Sequence, residues 1–274
     1  MFEKILENVR IKTPLVHSIT NYVTVNDCAN AILACGASPI MADDQNEVEE
    51  ITSICNSLVI NIGTLNERII SSMMKAGKKA NELNHPVVLD PVGAGASSFR
   101  TKTSFDLLEN VKFSVIRGNT SEIKAIHKGS GTTKGVDADV SDAITETNLD
   151  EAIVFAKDFS KKTGSIIAIT GAIDIIADEN KAYIIRNGNA LMSKITGTGC
   201  MLTSLIGAFC GGNSDSILDA TAAAVCVMGL CGELAFEKLQ KVDGGTSTYR
   251  TFIIDYISKM NTETLNGGIK IESI

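Results

Sequence analysis

The chain has 274 residues, 44% of them hydrophobic, and a formal net charge of −7 at pH 7. A chain of this length buries enough apolar surface to fold without disulfides or structural metals. The acidic balance excludes nucleic acid and anionic membranes as main partners, because both are bound through basic patches.

The cysteine and histidine content limits the metal and redox chemistry of the chain. There are seven cysteines and three histidines. The cysteine count is odd and no Cys-x-x-Cys pair occurs, so neither a disulfide framework nor a zinc ribbon is indicated. Free thiols in this number favour a reducing compartment.

No segment has the pattern of a targeting or membrane sequence. Residues 1–14 carry charges between their apolar residues and lack the continuous apolar core of a signal peptide. The longest apolar run, Ala222 to Cys231, is shorter than the roughly 20 residues that a membrane span needs. We therefore expect a cytoplasmic protein. No repeat or low-complexity stretch divides it, and residues 1–274 are predicted to form a single domain.

Short apolar runs alternate with longer amphipathic stretches along the first two thirds of the chain. Runs this short and rich in Val, Ile and Leu are typical of buried parallel strands. Five are predicted strands: 14–19, 57–61, 86–90, 113–117 and 165–170. The stretches 66–83 and 150–162 between them are predicted helices. This alternation predicts an α/β fold, with a mostly parallel central sheet, helices on both faces and right-handed crossovers.

The last third of the chain has a different pattern. Asn187-Gly188 lies between two strand-like runs and suits the positive φ angles of a two-residue turn, so residues 182–193 are predicted to form one β-hairpin. Residues 200–210 and 216–239 are predicted helices rich in small side chains. A final helix is predicted to begin near Thr246.

A glycine-rich turn, Thr196 to Cys200, leads directly into a predicted helix. Glycines there let the backbone approach an anion closely, and the first N–H groups of the helix point at it. Such a turn taken alone is equally consistent with a purely structural role. Its weight comes from the polar residues that end the predicted strands.

Three of the predicted strands end in polar residues suited to binding Mg²⁺ and phosphate. Asp90 precedes a glycine-rich loop, Arg117 is followed by Glu122, and Thr170 precedes a glycine. Ligands of open α/β sheets bind beyond the carboxyl ends of the strands. Each residue also has a simpler interpretation: a cap for Asp90, a helix-dipole partner for Glu122, a surface ion pair for Arg117, and a backbone-bonded hydroxyl for Thr170. Together they favour a site for magnesium and phosphate groups at the ends of these strands.

The combination of segments resembles the hydroxyethylthiazole kinases of the ribokinase-like superfamily. The resemblance spans most of the chain, and its matching segments are PLVHSITNYV (14–23), ASPIMA (37–42), NIGTL (61–65), VLDPVGAGA (88–96), IRGNTSEI (116–123), KGVD (134–137), ITGAID (169–174) and TGTGCMLTS (196–204). A ribokinase-like fold is therefore expected. The resemblance implies transfer of the ATP γ-phosphoryl to the hydroxyl of 4-methyl-5-(2-hydroxyethyl)thiazole, a step of thiamine salvage.

The resemblance also implies roles for individual residues. It implies that Met41 and Gly197 contact the thiazole, that Arg117 and Thr170 bind ATP, and that two carboxylates, Asp90 and Glu122, organise Mg²⁺ and phosphate. Asn21 is expected to complete the small substrate pocket beside Met41. A homotrimer with substrate pockets between neighbouring subunits is implied in the same way.

Cys200 departs from the wider superfamily, in which an Asp at this position acts as catalytic base. Thiazole kinases share the Cys, so it supports the subfamily and makes Cys200 the candidate catalytic residue. An ordinary thiol has a pKa of about 8.5 and is mostly protonated at neutral pH, although a helix N-terminus can lower that pKa. The identity of the base stays open at this point.

Four other functions fit the sequence less well. A hydroxymethylpyrimidine kinase or a nicotinamide-nucleotide hydrate repair enzyme is disfavoured by the Gly-Thr-Gly-Cys ending. A catalytically silent nucleotide- or thiazole-binding protein is disfavoured by the intact carboxylates and arginine. A Rossmann dehydrogenase is the weakest alternative, because no strand-GxGxxG-helix unit opens the chain.

Overall fold

A computed structural model describes residues 2–128 and 142–274. The KGVD segment (134–137) lies outside the described residues. One nine-stranded sheet runs through the described part of the chain in the order β2-β1-β3-β4-β5-β6-β7-β8-β9. Its strands are β1 Leu15–Ile19, β2 Ser38–Ile40, β3 Ser57–Asn61, β4 Val87–Asp90, β5 Val115–Asn119, β6 Ile166–Thr170, β7 Asp174–Ala177, β8 Ala182–Ile185 and β9 Ile271–Ser273.

The six strands from β2 to β6 in this order are parallel. Strands β7, β8 and β9 are each antiparallel to the neighbour before them. The helices are α1 Glu3–Lys12, α2 Val25–Cys35, α3 Val48–Ile54, α4 Glu67–Glu82, α5 Ser98–Asn110, α6 Thr120–Lys128, α7 Leu149–Thr163, α8 Thr198–Gly212, α9 Ile217–Leu239, α10 Thr246–Lys259 and α11 Thr262–Gly268.

Two hydrophobic cores lie on opposite faces of the sheet. Helices α1, α2 and α8 to α11 contribute to one core, and helices α3 to α7 contribute to the other. The centre of strand β3 is continuously apolar because both of its faces are buried: Val59 faces the first core, while Leu58 and Ile60 face the second. Parallel strands covered on both faces have this composition. The predicted α/β fold class, with a mostly parallel sheet and helices on both faces, is confirmed.

The five predicted strands correspond to β1, β3, β4, β5 and β6, with ends shifted by at most two residues. The predicted helices 66–83 and 150–162 correspond to α4 and α7. A helix does begin at Thr246, but the prediction that it is the last helix is wrong, because α11 follows it.

The hairpin predicted at Asn187-Gly188 is also wrong. Strand β8 ends before it, and the second run forms a short 3-10 helix, Ala190–Lys194, in place of a strand. The Asn187 side chain accepts a hydrogen bond from the Lys270 N–H and donates to the Gly268 carbonyl, so it binds the segment before β9. Strand β8 consequently pairs with β9, and the antiparallel connections lie instead between β6, β7 and β8.

Helix α9 is long and apolar enough, by length and composition alone, to cross a membrane. The length of the longest apolar run, Ala222 to Cys231, did not indicate such a helix, because α9 extends beyond both ends of that run. In the structure 72% of its most apolar window is buried inside the protein. That burial is typical of the core helix of a soluble protein.

Candidate active site

Adjacent parallel strands bring the predicted polar residues to one edge of the sheet. Asp90 ends β4, Arg117 lies in β5 and Thr170 ends β6. The Arg117 Nη2 donates a 2.6 Å hydrogen bond to Thr170 Oγ1, and its Nη1 lies 3.6 Å from Asp90 Oδ2. The structure therefore assembles three of the predicted site residues into one cluster.

Asp90 is completely buried at the centre of this cluster. Its Oδ2 accepts 2.8 Å hydrogen bonds from Asn61 Nδ2 and from Thr203 Oγ1. Burial raises the pKa of Asp90, and the nearby Arg117 guanidinium opposes that rise. No described residue is a hydrogen-bond partner of Asp90 Oδ1 or of Arg117 Nε, although both atoms are buried. Buried polar atoms are normally paired. Asp90 Oδ1 is therefore suited to binding a cation, and Arg117 Nε is suited to donating a hydrogen bond to a polar ligand.

Glu122 lies in the first turn of α6 and joins two loops of the site. Its Oε1 accepts a 2.7 Å hydrogen bond from the Gly93 N–H, and its Oε2 accepts a 2.8 Å bond from the Asn119 N–H. Burial, and then the charge of Asp90, raise the pKa of Glu122 to about 7. Two buried carboxylates that disfavour each other's charge are stabilised by a bound cation.

The glycine-rich turn forms the N-terminus of α8, with Gly197 at the N-cap position and a φ of 92°. A Cβ atom added at Gly199 would lie 2.7 Å from Arg117 Nη1. The guanidinium therefore lies directly against the start of the helix, where any larger residue would displace it. Helix N–H groups and a guanidinium together form a strong site for phosphate.

Cys200 is half-buried in the first turn of α8. Its Sγ accepts hydrogen bonds from Asn21 Nδ2 at 3.2 Å and from Asn61 Nδ2 at 3.4 Å. Burial, and then the charge of Asp90, raise the pKa of the thiol. Because its pKa lies above the ordinary value, the thiol is protonated at neutral pH.

Sequence reasoning missed Asn61 and Thr203, which orient Asp90. Asn61 ends β3 opposite Asp90, and its Oδ1 accepts a bond from Asn21 Nδ2 at 3.0 Å. A polar residue ending an apolar strand is the signal that identified Asp90, and Asn61 carries the same signal. Thr203 lies one helical turn after Gly199. The predicted helix over residues 200–210 puts the two residues on the same face, so Thr203 could have been expected beside the strand ends.

A cavity of about 510 Å³ opens beside this cluster. Arg117, Thr170 and Gly199 are among the residues that line it, and so are the apolar Leu202, Val225 and Met228. Asp174 also lines it, and burial raises the pKa of that carboxyl to about 7. Of the described residues, Met41 and Gly197 are not among those that line this cavity. Met41 follows edge strand β2 and is only partly buried.

The carboxylates present fit a magnesium ion that is shared with a phosphate ligand. Across residues 2–128 and 142–274 there is no group of three His, Cys, Asp or Glu side chains that could hold a metal. Magnesium needs no such cage, because it is commonly bound by one or two carboxylates, substrate phosphates and water. The unpartnered Oδ1 of Asp90 and the raised pKa of Glu122 are consistent with this mode.

An anion-binding helix terminus, an arginine and two buried carboxylates, all beyond the ends of parallel strands, define an α/β phosphotransferase of the ribokinase-like class. A ribokinase-like superfamily protein from Enterococcus faecalis shares the fold, with a TM-score of 0.60 and 13% identity over 93% of this chain and 88% of that chain. The hydroxyethylthiazole kinase family profile matches residues 6–263.

Closer relatives narrow the class to one family. A hydroxyethylthiazole kinase of Clostridium acetobutylicum is 63% identical over 273 residues, covering 100% of both chains. One from Clostridium beijerinckii is 56% identical over 270 residues, 98% of this chain and 96% of that one. The structure of a hydroxyethylthiazole kinase protein from Pyrococcus horikoshii OT3 matches with a TM-score of 0.87 and 36% identity, over 99% of this chain and 98% of that chain. The chain belongs to the hydroxyethylthiazole kinase family and is a kinase. The dehydrogenase alternative is wrong.

Proposed function

We propose that the protein transfers the γ-phosphoryl group of ATP to the primary hydroxyl of 4-methyl-5-(2-hydroxyethyl)thiazole, in thiamine salvage. One observation carries this proposal. Arg117 lies against both Thr170 and the N-terminus of α8, and all three line the same cavity. Family membership supports the thiazole alcohol as the acceptor. One continuous sheet from Leu15 to Ser273 supports a single catalytic domain over residues 1–274.

The cavity is proposed to hold the nucleotide. Among its lining residues, the apolar Leu202, Val225 and Met228 suit the adenine ring, and Arg117 and Thr170 suit the phosphates. Phosphoryl transfer depends mainly on positioning and on stabilising negative charge. Arg117 performs both tasks, because its planar guanidinium can bind two phosphate oxygens at once.

Asp90 and Glu122 are proposed to hold Mg²⁺. When bound, the ion neutralises charge on the ATP phosphates. Asn61 and Thr203 fix the Asp90 carboxylate through its Oδ2, and this leaves Oδ1 available. Glu122 is fixed by backbone N–H groups from two loops, so the spacing of the two carboxylates is set before any ligand binds.

The acceptor alcohol is proposed to bind beside Cys200, in a pocket formed by Asn21, Met41 and Gly197. The buried thiol is a weak base because its pKa is raised. A loose transition state leaves little need for a strong base, since the hydroxyl proton departs late in the transfer. Cys200 therefore acts mainly by positioning the hydroxyl, with its Sγ held by the two asparagine side chains.

The pocket is proposed to be completed by a neighbouring subunit of a homotrimer. Tyr22 and Val23 directly follow Asn21, and they are 77% and 59% exposed. Exposed apolar side chains beside a substrate residue are expected where another subunit covers them. All seven cysteines are free, which supports a cytoplasmic location.

Product analysis tests the proposed function. The purified protein is incubated with Mg-ATP and a panel of small alcohols, including the thiazole alcohol and hydroxymethylpyrimidine, and the products are identified by mass. We expect a single phosphate added to the thiazole alcohol, with kcat/KM more than about 100-fold above that for the pyrimidine. Preferred phosphorylation of the pyrimidine would make the chain a pyrimidine kinase. ATP consumption that no alcohol stimulates would support the silent binding protein instead.

A further inference from the structure

His17 is a fully buried polar residue that the proposed chemistry does not use. It lies in β1, within the segment 14–23, and its side chain has no exposed surface. Its Nε2 lies 2.8 Å from the Ala42 carbonyl oxygen, and its Nδ1 lies 2.9 Å from Thr52 Oγ1. Both ring nitrogens are therefore paired, and one pairs with the residue that follows Met41.

The partners of the ring determine which nitrogen carries the proton. A carbonyl oxygen can only accept, so Nε2 carries hydrogen and donates to Ala42. Burial lowers the pKa of His17, which keeps the ring neutral. The other nitrogen, Nδ1, then accepts from the Thr52 hydroxyl. Thr52 Oγ1 also lies 2.6 Å from the Val48 carbonyl, so its single proton has two acceptors within reach.

The bond to Ala42 holds a segment that has just left the sheet. Pairing between β1 and β2 ends at His17 and Ile40, so the ladder gives Met41 and Ala42 no further strand partner. The next attachment is made by Arg68, which forms an ion pair with Asp43 and also donates to the Asp43 carbonyl oxygen, and the side chains of Asp43 and Arg68 are 46% and 50% exposed. Exposed ion pairs contribute little free energy. The His17–Ala42 hydrogen bond, whose imidazole ring is fully buried, is thus the stronger of these two attachments beside Met41.

We propose that His17 is a positioning residue for the acceptor pocket: its Nε2–H fixes the Ala42 carbonyl and, through it, the backbone that carries Met41. This inference rests on the proposed function, which assigns Met41 to the thiazole alcohol. His17 touches neither substrate. Its effect is expected on the acceptor side, since the proposed ATP residues Arg117 and Thr170 lie in β5 and β6, which β3 and β4 separate from β1.

A matched pair of substitutions separates the two ring nitrogens. In His17→Gln the side-chain amide can reach the place of Nε2 and donate to Ala42. In His17→Asn the shorter amide reaches only the place of Nδ1 and keeps the Thr52 contact. We expect His17→Asn to raise KM for the thiazole alcohol about tenfold, and His17→Gln to change it by about twofold or less, with KM for ATP unchanged in both.

Thr52→Val is the control for the contact at the other ring nitrogen. Thr52→Val should leave the thiazole KM within about twofold of wild type, because the Ala42 bond persists. Equal effects of the Asn and Gln variants, or a Thr52→Val effect as large as that of His17→Asn, would show that His17 only supports packing. If the wild type phosphorylates the pyrimidine or no alcohol, the proposed function fails, and the inference fails with it.

A measurement on the wild-type protein decides the question if the His17 variants do not fold. Nitrogen-15 spectra of labelled histidine side chains report the tautomer of each ring, and His85→Gln and His127→Gln assign the remaining signal to His17 by elimination. We expect a neutral Nε2–H ring whose signal shifts on addition of the thiazole alcohol. An Nδ1–H tautomer, or a signal that the alcohol leaves unchanged, would overturn the proposal.

Discussion

Replacement of Arg117 by Ala is expected to damage the use of ATP far more than the binding of the acceptor alcohol. The guanidinium donates to Thr170, lies 3.6 Å from Asp90 and rests against Gly199 at the start of α8. Loss of a charged donor that stabilises the transferring phosphoryl costs about 2–4 kcal/mol. This corresponds to a decrease of about 30- to 900-fold in kcat/KM for ATP.

The same substitution also changes the charge balance of the free protein. Arg117 is the positive group that opposes the rise in the pKa of Asp90. Without it the pKa of Asp90 should rise further, so that the carboxylate takes up a proton more readily and binds Mg²⁺ less well. Arg117→Lys is the matched control, because it keeps the charge and loses the planar fork. Its kcat/KM for ATP should lie between those of wild type and Arg117→Ala.

The assay is steady-state kinetics with ATP and the thiazole alcohol varied in turn, on variants whose melting temperature is measured in parallel. A dissociation constant for the thiazole alcohol, measured by calorimetry without nucleotide, should change by less than about threefold, because Arg117 has no role in that pocket. A folded Arg117→Ala variant with wild-type kcat/KM for ATP would refute the reasoning. So would an equal loss on both substrates, which would point to general distortion.

Three further predictions concern the titratable groups. Asp90→Asn and Glu122→Gln should each raise the Mg²⁺ concentration needed for half-maximal activity, measured by titration at fixed ATP; wild-type magnesium dependence in both would show that they are structural. Cys200→Ala should lower kcat by less than about tenfold, because the pKa of the thiol is raised and it is a poor base; complete loss of turnover with intact ATP binding would identify the thiol as essential. Burial raises the pKa of Asp174 from 3.8 to about 7, so the folded state binds the extra proton and the free energy of unfolding should fall as pH rises through that window. In denaturant titrations, the free energy of unfolding of Asp174→Asn relative to wild type should increase from pH 4 to pH 7. Asp215→Asn, a substitution at an exposed position, should show no such increase. The same pH dependence in wild type and Asp174→Asn would contradict this prediction.

The strands and the clustering of Asp90, Arg117 and Thr170 at their ends could be predicted from local sequence, for one physical reason. Parallel strands covered on both faces must be continuously apolar, so a polar residue such as Asp90 or Thr170 marks the strand end at which ligands bind. The fold then brings these ends together without further information. Assignment of the acceptor alcohol depended on family resemblance, because a small pocket completed by loops has no periodic pattern.

The errors come from contacts between residues far apart in the chain. Asn187 was interpreted as a turn residue, but its side chain binds Gly268 and Lys270, more than 80 residues away. Asn61 and Thr203 meet at Asp90 although they lie 29 and 113 residues away from it along the chain. No local propensity encodes such meetings, and only the folded topology shows them.

The burial of α8 has a consequence for how the enzyme fails under heat. This helix carries the proposed phosphate-binding turn at its N-terminus, yet it packs against α1, α2, α9 and strands β1, β3 and β4, and most of its residues are inaccessible to solvent. Ser57 in β3 also donates a buried 2.8 Å hydrogen bond to its Gly207 carbonyl. A helix enclosed in this way cannot fray independently of the core. Catalytic competence and global folding should therefore disappear in one cooperative transition, without an intermediate that is folded but inactive.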